Sequence, residues 1–201
     1  MAEKLIIEVF KEKKAEDFTS AIASPECRAA SGSAAAYSAA MAAALLGRAA
    51  RICAEKDAAN ERGAYIVRNS EILRSYMVQL IDESVKAKGP LRRAKKDGDE
   101  RGIEASLQMA ACIESEIVNM MKPCLEFISE LCGLCPKEDA HLLAEAAELA
   151  LCASRVSISV ILSYSAQSGD ETFRYVTKRE NEVFLAEQKE LYEGVAEKLK
   201  Q

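Results

Sequence analysis

The stretch Ala34-Ala35-Ala36-Tyr37-Ser38-Ala39-Ala40-Met41-Ala42-Ala43-Ala44-Leu45-Leu46-Gly47-Arg48-Ala49-Ala50-Arg51-Ile52 decides the fold. Ala is the strongest helix former, and no β-branched residue interrupts the run before Ile52. The spacing predicts a helix from Ala34 to about Glu55. It is apolar or small on nearly every side, so it belongs in the middle of a bundle. Small side chains also allow neighbouring backbones to come close, which Leu would prevent. Ser31 and Ser33, in Glu26-Cys27-Arg28-Ala29-Ala30-Ser31-Gly32-Ser33, are suitable caps for its start.

The rest of the chain follows the same period. Leu5, Ile6, Val9, Phe10, Phe18 and Ile22 suit one or two short helices that end at Pro25. Residues 57–88 carry Ile66, Leu73, Met77, Leu80, Ile81 and Val85 on a helical stripe, with Gly89-Pro90 as its stop. Residues 89–102, with three glycines and many charges, read as a linker. A further helix spans 103–133, broken or kinked at Pro123 and ended by Gly133 and Pro136. Glu138 to Ser165 form the next. Ser157, Ile158, Ser159, Val160 and Ile161 look strand-like alone, but they continue a strongly helical run. Ser168-Gly169-Asp170 separates it from a last helix over 171–200. The expectation is an all-α, single-domain bundle of about five to seven helices over residues 1–201.

Bulk composition agrees. Of 201 residues, 49% are hydrophobic and 29% charged, aromatics are 5%, and Trp is absent. That is enough chain for one core. A net charge of −5 argues against a nucleic-acid surface. The basic run Arg92, Arg93, Lys95, Lys96 is followed at once by Asp97, Asp99 and Glu100, a solvated face. No secretory signal and no run of roughly twenty uninterrupted apolar residues is evident, so a cytoplasmic protein without a membrane partner is expected. Seven cysteines, an odd number, do not form a disulfide framework. Most are expected to be small buried residues. Cys132 and Cys135 form a C-x-x-C with His141 six residues on. A three-ligand metal site and a redox pair stand beside plain packing at a helix end, and no metal is expected. With so few aromatics, the apolar central helix calls for burial by partner subunits: a homodimer or higher homo-oligomer.

The segment Phe18-Thr19-Ser20-Ala21-Ile22-Ala23-Ser24-Pro25, the loop to Ser33 and the small-residue helix ending Ala44-Leu45-Leu46-Gly47-Arg48-Ala49-Ala50-Arg51-Ile52 resemble the cyclodeaminase/cyclohydrolase family. That family includes the C-terminal domain of formiminotransferase-cyclodeaminase and stand-alone methenyltetrahydrofolate cyclohydrolases. Its members carry Ala-Ser-Pro-x-Pro-Thr-Pro-Gly-Gly-Gly-Ser before an Ala-rich helix. Here Ser24, Pro25, Gly32 and Ser33 match. Cys27 and Ala29 replace two prolines, Arg28 the threonine, and Ala30 and Ser31 two glycines. Asp82 matches an acid on the family's long helix, Pro123 its proline, and Asp139-Ala140 the start of a Ser-Asp-Ala segment. Asn residues late in the family's fifth helix correspond to Arg155 and Ser159, or to Ser157 and Ile161.

The resemblance implies an enzyme of one-carbon metabolism acting on a tetrahydrofolate derivative, as a cyclohydrolase or a cyclodeaminase. No cofactor beyond that substrate is implied. Asp82 would be the general base or iminium stabiliser. Arg28, Ser31, Gly32, Ser33 and Asp139 would bind substrate, with Arg28 on a carboxylate. Each has a plainer reading: a surface charge for Asp82 and Arg28, helix caps for the serines, and a partly exposed structural residue for His141. The alternative function is a divergent member that keeps the helices as a ligand-binding or oligomeric scaffold.

Overall fold

The computed structural model describes residues 9–25, 31–56 and 61–200. Among them are seven α-helices and one 3-10 turn. They are α1 (Ala15–Ala23), α2 (Ser31–Lys56), α3 (Glu61–Lys86), α4 (Lys88–Asp97), α5 (Glu100–Leu131), the turn Lys137–Asp139, α6 (Ala140–Ser165) and α7 (Glu171–Lys198). The described residues contain no strand. The all-α reading holds.

Helix α2 is the centre. It packs on α3 and α6 along most of its length and also touches α5. Its buried residues are mainly Ala, with Leu46, Gly47 and Cys53. Small residues buy little transfer free energy individually, so the gain comes from what they let approach. A Cβ on Gly47 would stand 2.7 Å from the Ser70 hydroxyl of α3, closer than packing allows. Large neighbours then close around α2. Ile66, Met77, Leu125, Ile128, Leu131 and Leu143 are all fully buried. Each such side chain contributes about 1.5–3 kcal/mol. A second apolar cluster, including Leu91, Leu107, Ile158 and Tyr164, joins α4, α5 and α6.

Three sequence readings need correction. Residues 88–97 are helix, not linker. Leu91 and Ala94 lie three apart and bury one face, while the charges take the other. Gly89 and Pro90 sit in the first turn, where a missing N–H costs nothing. Second, Pro123 does not break α5, which runs through it as one helix. The carbonyl that proline deprives belongs to Asn119, an exposed residue that water can serve. Third, only Cys53 and Cys124 of the described cysteines are buried. Cys132 and Cys135 are half-buried, and Cys112 and Cys152 are exposed.

Other boundaries fall as expected. Asp99 and Asp170 cap α5 and α7, accepting from the backbone N–H of Gly102 and Phe173, both at 3.0 Å. Ser157 to Ile161 are helical. The segment Lys137–Ser165 is, by length and a mean hydropathy of 1.5, sufficient to cross a bilayer. This departs from the sequence reading. Here Leu142, Leu143, Ala146, Ala147 and Ala150 are buried within the bundle instead.

Candidate functional site

The start of α2 meets the end of α3 and the middle of α5. Ser33 is fully buried and donates its hydroxyl to the Ile81 carbonyl of α3 at 2.9 Å. It is a cross-helix tie, not a cap. One residue earlier, Gly32 lies against two polar side chains. A Cβ there would stand 2.0 Å from Glu114 Oε1 and 2.2 Å from Ser84 Oγ. Only glycine lets α2 approach this closely.

Glu114, on α5, is 1% exposed. Its Oε1 accepts a 2.6 Å hydrogen bond from Ser84 Oγ. Its Oε2 has no hydrogen-bond partner, nor has the buried hydroxyl of Ser157 on α6. Burial pushes the Glu114 carboxyl above the ordinary glutamate range. The Ser84 hydrogen bond, the Lys88 ammonium and the nearby Ser157 hydroxyl oppose that rise without cancelling it. Ser157 acts at close range without forming a hydrogen bond of proper geometry. Tyr164 is pushed up to about 12, first by burial and then by the Glu114 charge. The cluster thus holds a desolvated carboxyl and hydroxyls at the positive end of a long helix.

Asp82 is also buried, at 5% exposed. Its Oδ1 accepts from the backbone N–H of Phe10 at 2.7 Å and of Lys11 at 3.3 Å. This carboxylate pins the segment before α1. Phe10 is thereby sunk into the core at 2% exposed. The surface-charge reading of Asp82 does not hold.

The sequence candidates are therefore partly gathered. Ser31, Gly32, Ser33 and Asp82 lie around the start of α2. Arg28 lies outside the described residues. Asp139 stands elsewhere: its charge acts on Cys53 and Cys135, near the other end of α2. Twenty-two residues of helix separate Ser31 from Cys53, about 33 Å at the standard rise. Asp139 is half-buried, and its side chain does not cap α6. His141 is exposed there, its Nδ1 3.0 Å from the Glu138 carbonyl. Glu114 and Ser84 were missed from sequence, and Ser157 entered only in one of two registers for the family's Asn residues. The available signal was a charge on the apolar stripe Leu107, Ala110, Ala111, Ile117, Val118 and Met121.

Beside the same turn, Ser31 and α6 residues Arg155, Val156, Ser159, Val160 and Ser163 line an open groove of about 400 Å³. Two larger hollows lie elsewhere. One, of about 660 Å³ between α5 and α7, has glutamates as half of its wall. The other runs along the first turns of α3 by Arg62 and Tyr65.

The sequence model of formiminotransferase-cyclodeaminase matches residues 14–182. The chain belongs to the formiminotransferase-cyclodeaminase family. That match takes in all of α2 to α6, and so every residue of the cluster around Glu114. The fold is also that of formiminotetrahydrofolate cyclodeaminase from Thermotoga maritima. The two superpose with a TM-score of 0.88 at 22% identity, over 94% of this chain and 97% of the other. No curated protein matches by sequence. Against the family's glycine-rich motif, the glycine kept is Gly32, the second residue of α2, whose missing Cβ makes room for Glu114.

Proposed function

We propose that this protein is an enzyme of one-carbon metabolism acting on a tetrahydrofolate derivative, as a formimidoyltetrahydrofolate cyclodeaminase or a methenyltetrahydrofolate cyclohydrolase. The observation that carries the reading is the buried Glu114 carboxyl, half unpartnered, beneath the first turn of α2 in a family of cyclodeaminases.

Both reactions pass through a tetrahedral carbon between two folate nitrogens. In the first, the arylamine nitrogen outside the pterin ring attacks the formimino carbon borne by the ring nitrogen, loses its proton, and ammonia departs after gaining one. In the second, water adds to the methenyl carbon and one carbon–nitrogen bond then opens. Each needs a group that surrenders a proton to a departing nitrogen and recovers one from the nucleophile. A carboxyl raised by burial keeps its proton closer to neutrality than an exposed one. Glu114 is assigned that exchange, through Oε2. Ser84 fixes the rotamer by holding Oε1. Asp82, whose Oδ1 is engaged by backbone N–H groups, is assigned a positioning role: it holds the segment carrying Phe10 against the end of α3. Ser31 and the α2 backbone N–H groups are assigned to substrate.

The test follows methenyltetrahydrofolate absorbance with purified protein, from formimidoyltetrahydrofolate as a gain and from the methenyl compound as a loss. Acceleration of either over the spontaneous rate supports the reading. The absence of both acceleration and folate binding by calorimetry sinks it. A non-catalytic scaffold is the second reading, favoured by the 1% exposure of Glu114. It predicts folate binding without turnover, or neither.

The outward stripe Tyr37, Met41 and Ala44 of α2 supports the proposal of a homo-oligomer, to be checked by light scattering.

A further inference from the structure

The groove beside α2 contains a positive charge without a salt bridge among the described residues, and it acts on the Tyr192 hydroxyl. Arg155 is exposed and makes no ion pair with any carboxylate among the described residues. It projects from α6 in register with Ser159 and Ser163, four residues apart, and all three line one wall. Val156 and Val160 provide an apolar strip beside them. Ser31, the first residue of α2, closes the other side. The first turn of α2 carries no acidic side chain of its own, and the buried Glu114 carboxyl lies against it at Gly32. Guanidinium, hydroxyls and a helix start around an apolar strip match a ligand with a flat stem ending in carboxylates.

We infer that this groove seats the glutamyl end of the folate substrate, with Arg155 as the counter-ion of its carboxylates. The inference rests on the folate reading of the neighbouring site. The stem lies along Val156 and Val160, and the pterin end reaches the first turn of α2. Arg155 is a specificity residue that works through binding and moves no proton.

The experiment compares wild type with Arg155→Gln and Arg155→Lys in two measurements. The first is steady-state turnover of the folate substrate. Losing a charge-assisted contact raises KM about tenfold in Arg155→Gln and leaves kcat within about twofold, with Arg155→Lys in between. The second is calorimetry with p-aminobenzoylglutamate, which has the tail without the pterin, against p-aminobenzamide, which lacks the carboxylates. Wild type binds the first compound only, and Arg155→Gln binds neither. An active wild type whose KM does not change in Arg155→Gln overturns the inference and leaves the folate reading standing. An inactive wild type that binds no folate overturns the folate reading; calorimetry then decides the groove. Binding of p-aminobenzoylglutamate that is lost in Arg155→Gln keeps an anion groove, and no binding removes it.

Discussion

Gly32 and Glu114 occupy the same space: a methyl group on Gly32 would come within 2.0 Å of the buried Oε1 of Glu114. The close approach of α2 to α5 and the buried position of the carboxyl therefore depend on each other. Gly32→Ala forces the Glu114 and Ser84 side chains aside. Overpacking of this kind costs about 1–3 kcal/mol. Denaturant melts should show that loss. In a Glu114→Ala background the same substitution should cost about 1 kcal/mol less, since one of the two clash partners is gone and only Ser84 Oγ must move. Equal costs in both backgrounds would contradict the contact.

The raised carboxyl of Glu114 has a sign that a stability curve reads. The folded carboxyl keeps its proton to a higher pH than the unfolded one, so unfolding releases a proton across that window. The Glu114 contribution therefore falls as pH rises from the ordinary glutamate range through the raised value. Glu114→Gln, nearly the same shape and unable to ionise, removes that slope. Relative to wild type it should be more stable at pH ~8 than at pH ~4. Thermal melts across that range check it, and a parallel pair of curves would show that Glu114 titrates normally.

Asp82 anchors by accepting, so removing the acceptor differs from removing the charge. Asp82→Ala leaves the buried Phe10 N–H without a partner and should cost about 1–3 kcal/mol. Limited proteolysis should then cut near Phe10 sooner. Asp82→Asn keeps an oxygen there and should lose less. If Asp82→Asn abolishes turnover while stability holds, the positioning role is wrong and Asp82 touches the chemistry.

Thiol accessibility offers a separate check on the packing. Cys112 and Cys152 are exposed, whereas burial pushes Cys124 and Cys135 up to about 12. Cys53 is raised as well, first by burial. Among the described thiols, alkylation at neutral pH, mapped by mass spectrometry, should label Cys112 and Cys152 first. Cys53, Cys124 and Cys135 should react only on unfolding, because the thiolate is the nucleophile. Early labelling of Cys124 would contradict the core.

Much of the fold was legible because period and composition agreed. The Ala run of α2 and the glycine–aspartate break before α7 each carry a local cause. Residues 88–97 were not, because Gly89 and Pro90 punctuate a sequence whose only apolar signal is Leu91 and Ala94. The site was half legible. Gly32 and Asp82 stand out as motif residues, but their partners lie 82 and 72 residues away in the chain. Asp139 read as a site residue from its neighbours in sequence, yet the length of α2 separates it from Ser31. Glu114 gave only an apolar stripe with one acid in it, and burial rather than residue type is what makes that acid a candidate.

The central claim is that Glu114 exchanges protons with a folate substrate. Absorbance of methenyltetrahydrofolate, followed with wild type and Glu114→Gln at matched folded concentration, tests it most directly. The account predicts acceleration by wild type and a loss of at least about a hundredfold in kcat for the variant, with tetrahydrofolate binding kept. A Glu114→Gln protein that turns over as fast as wild type would contradict it.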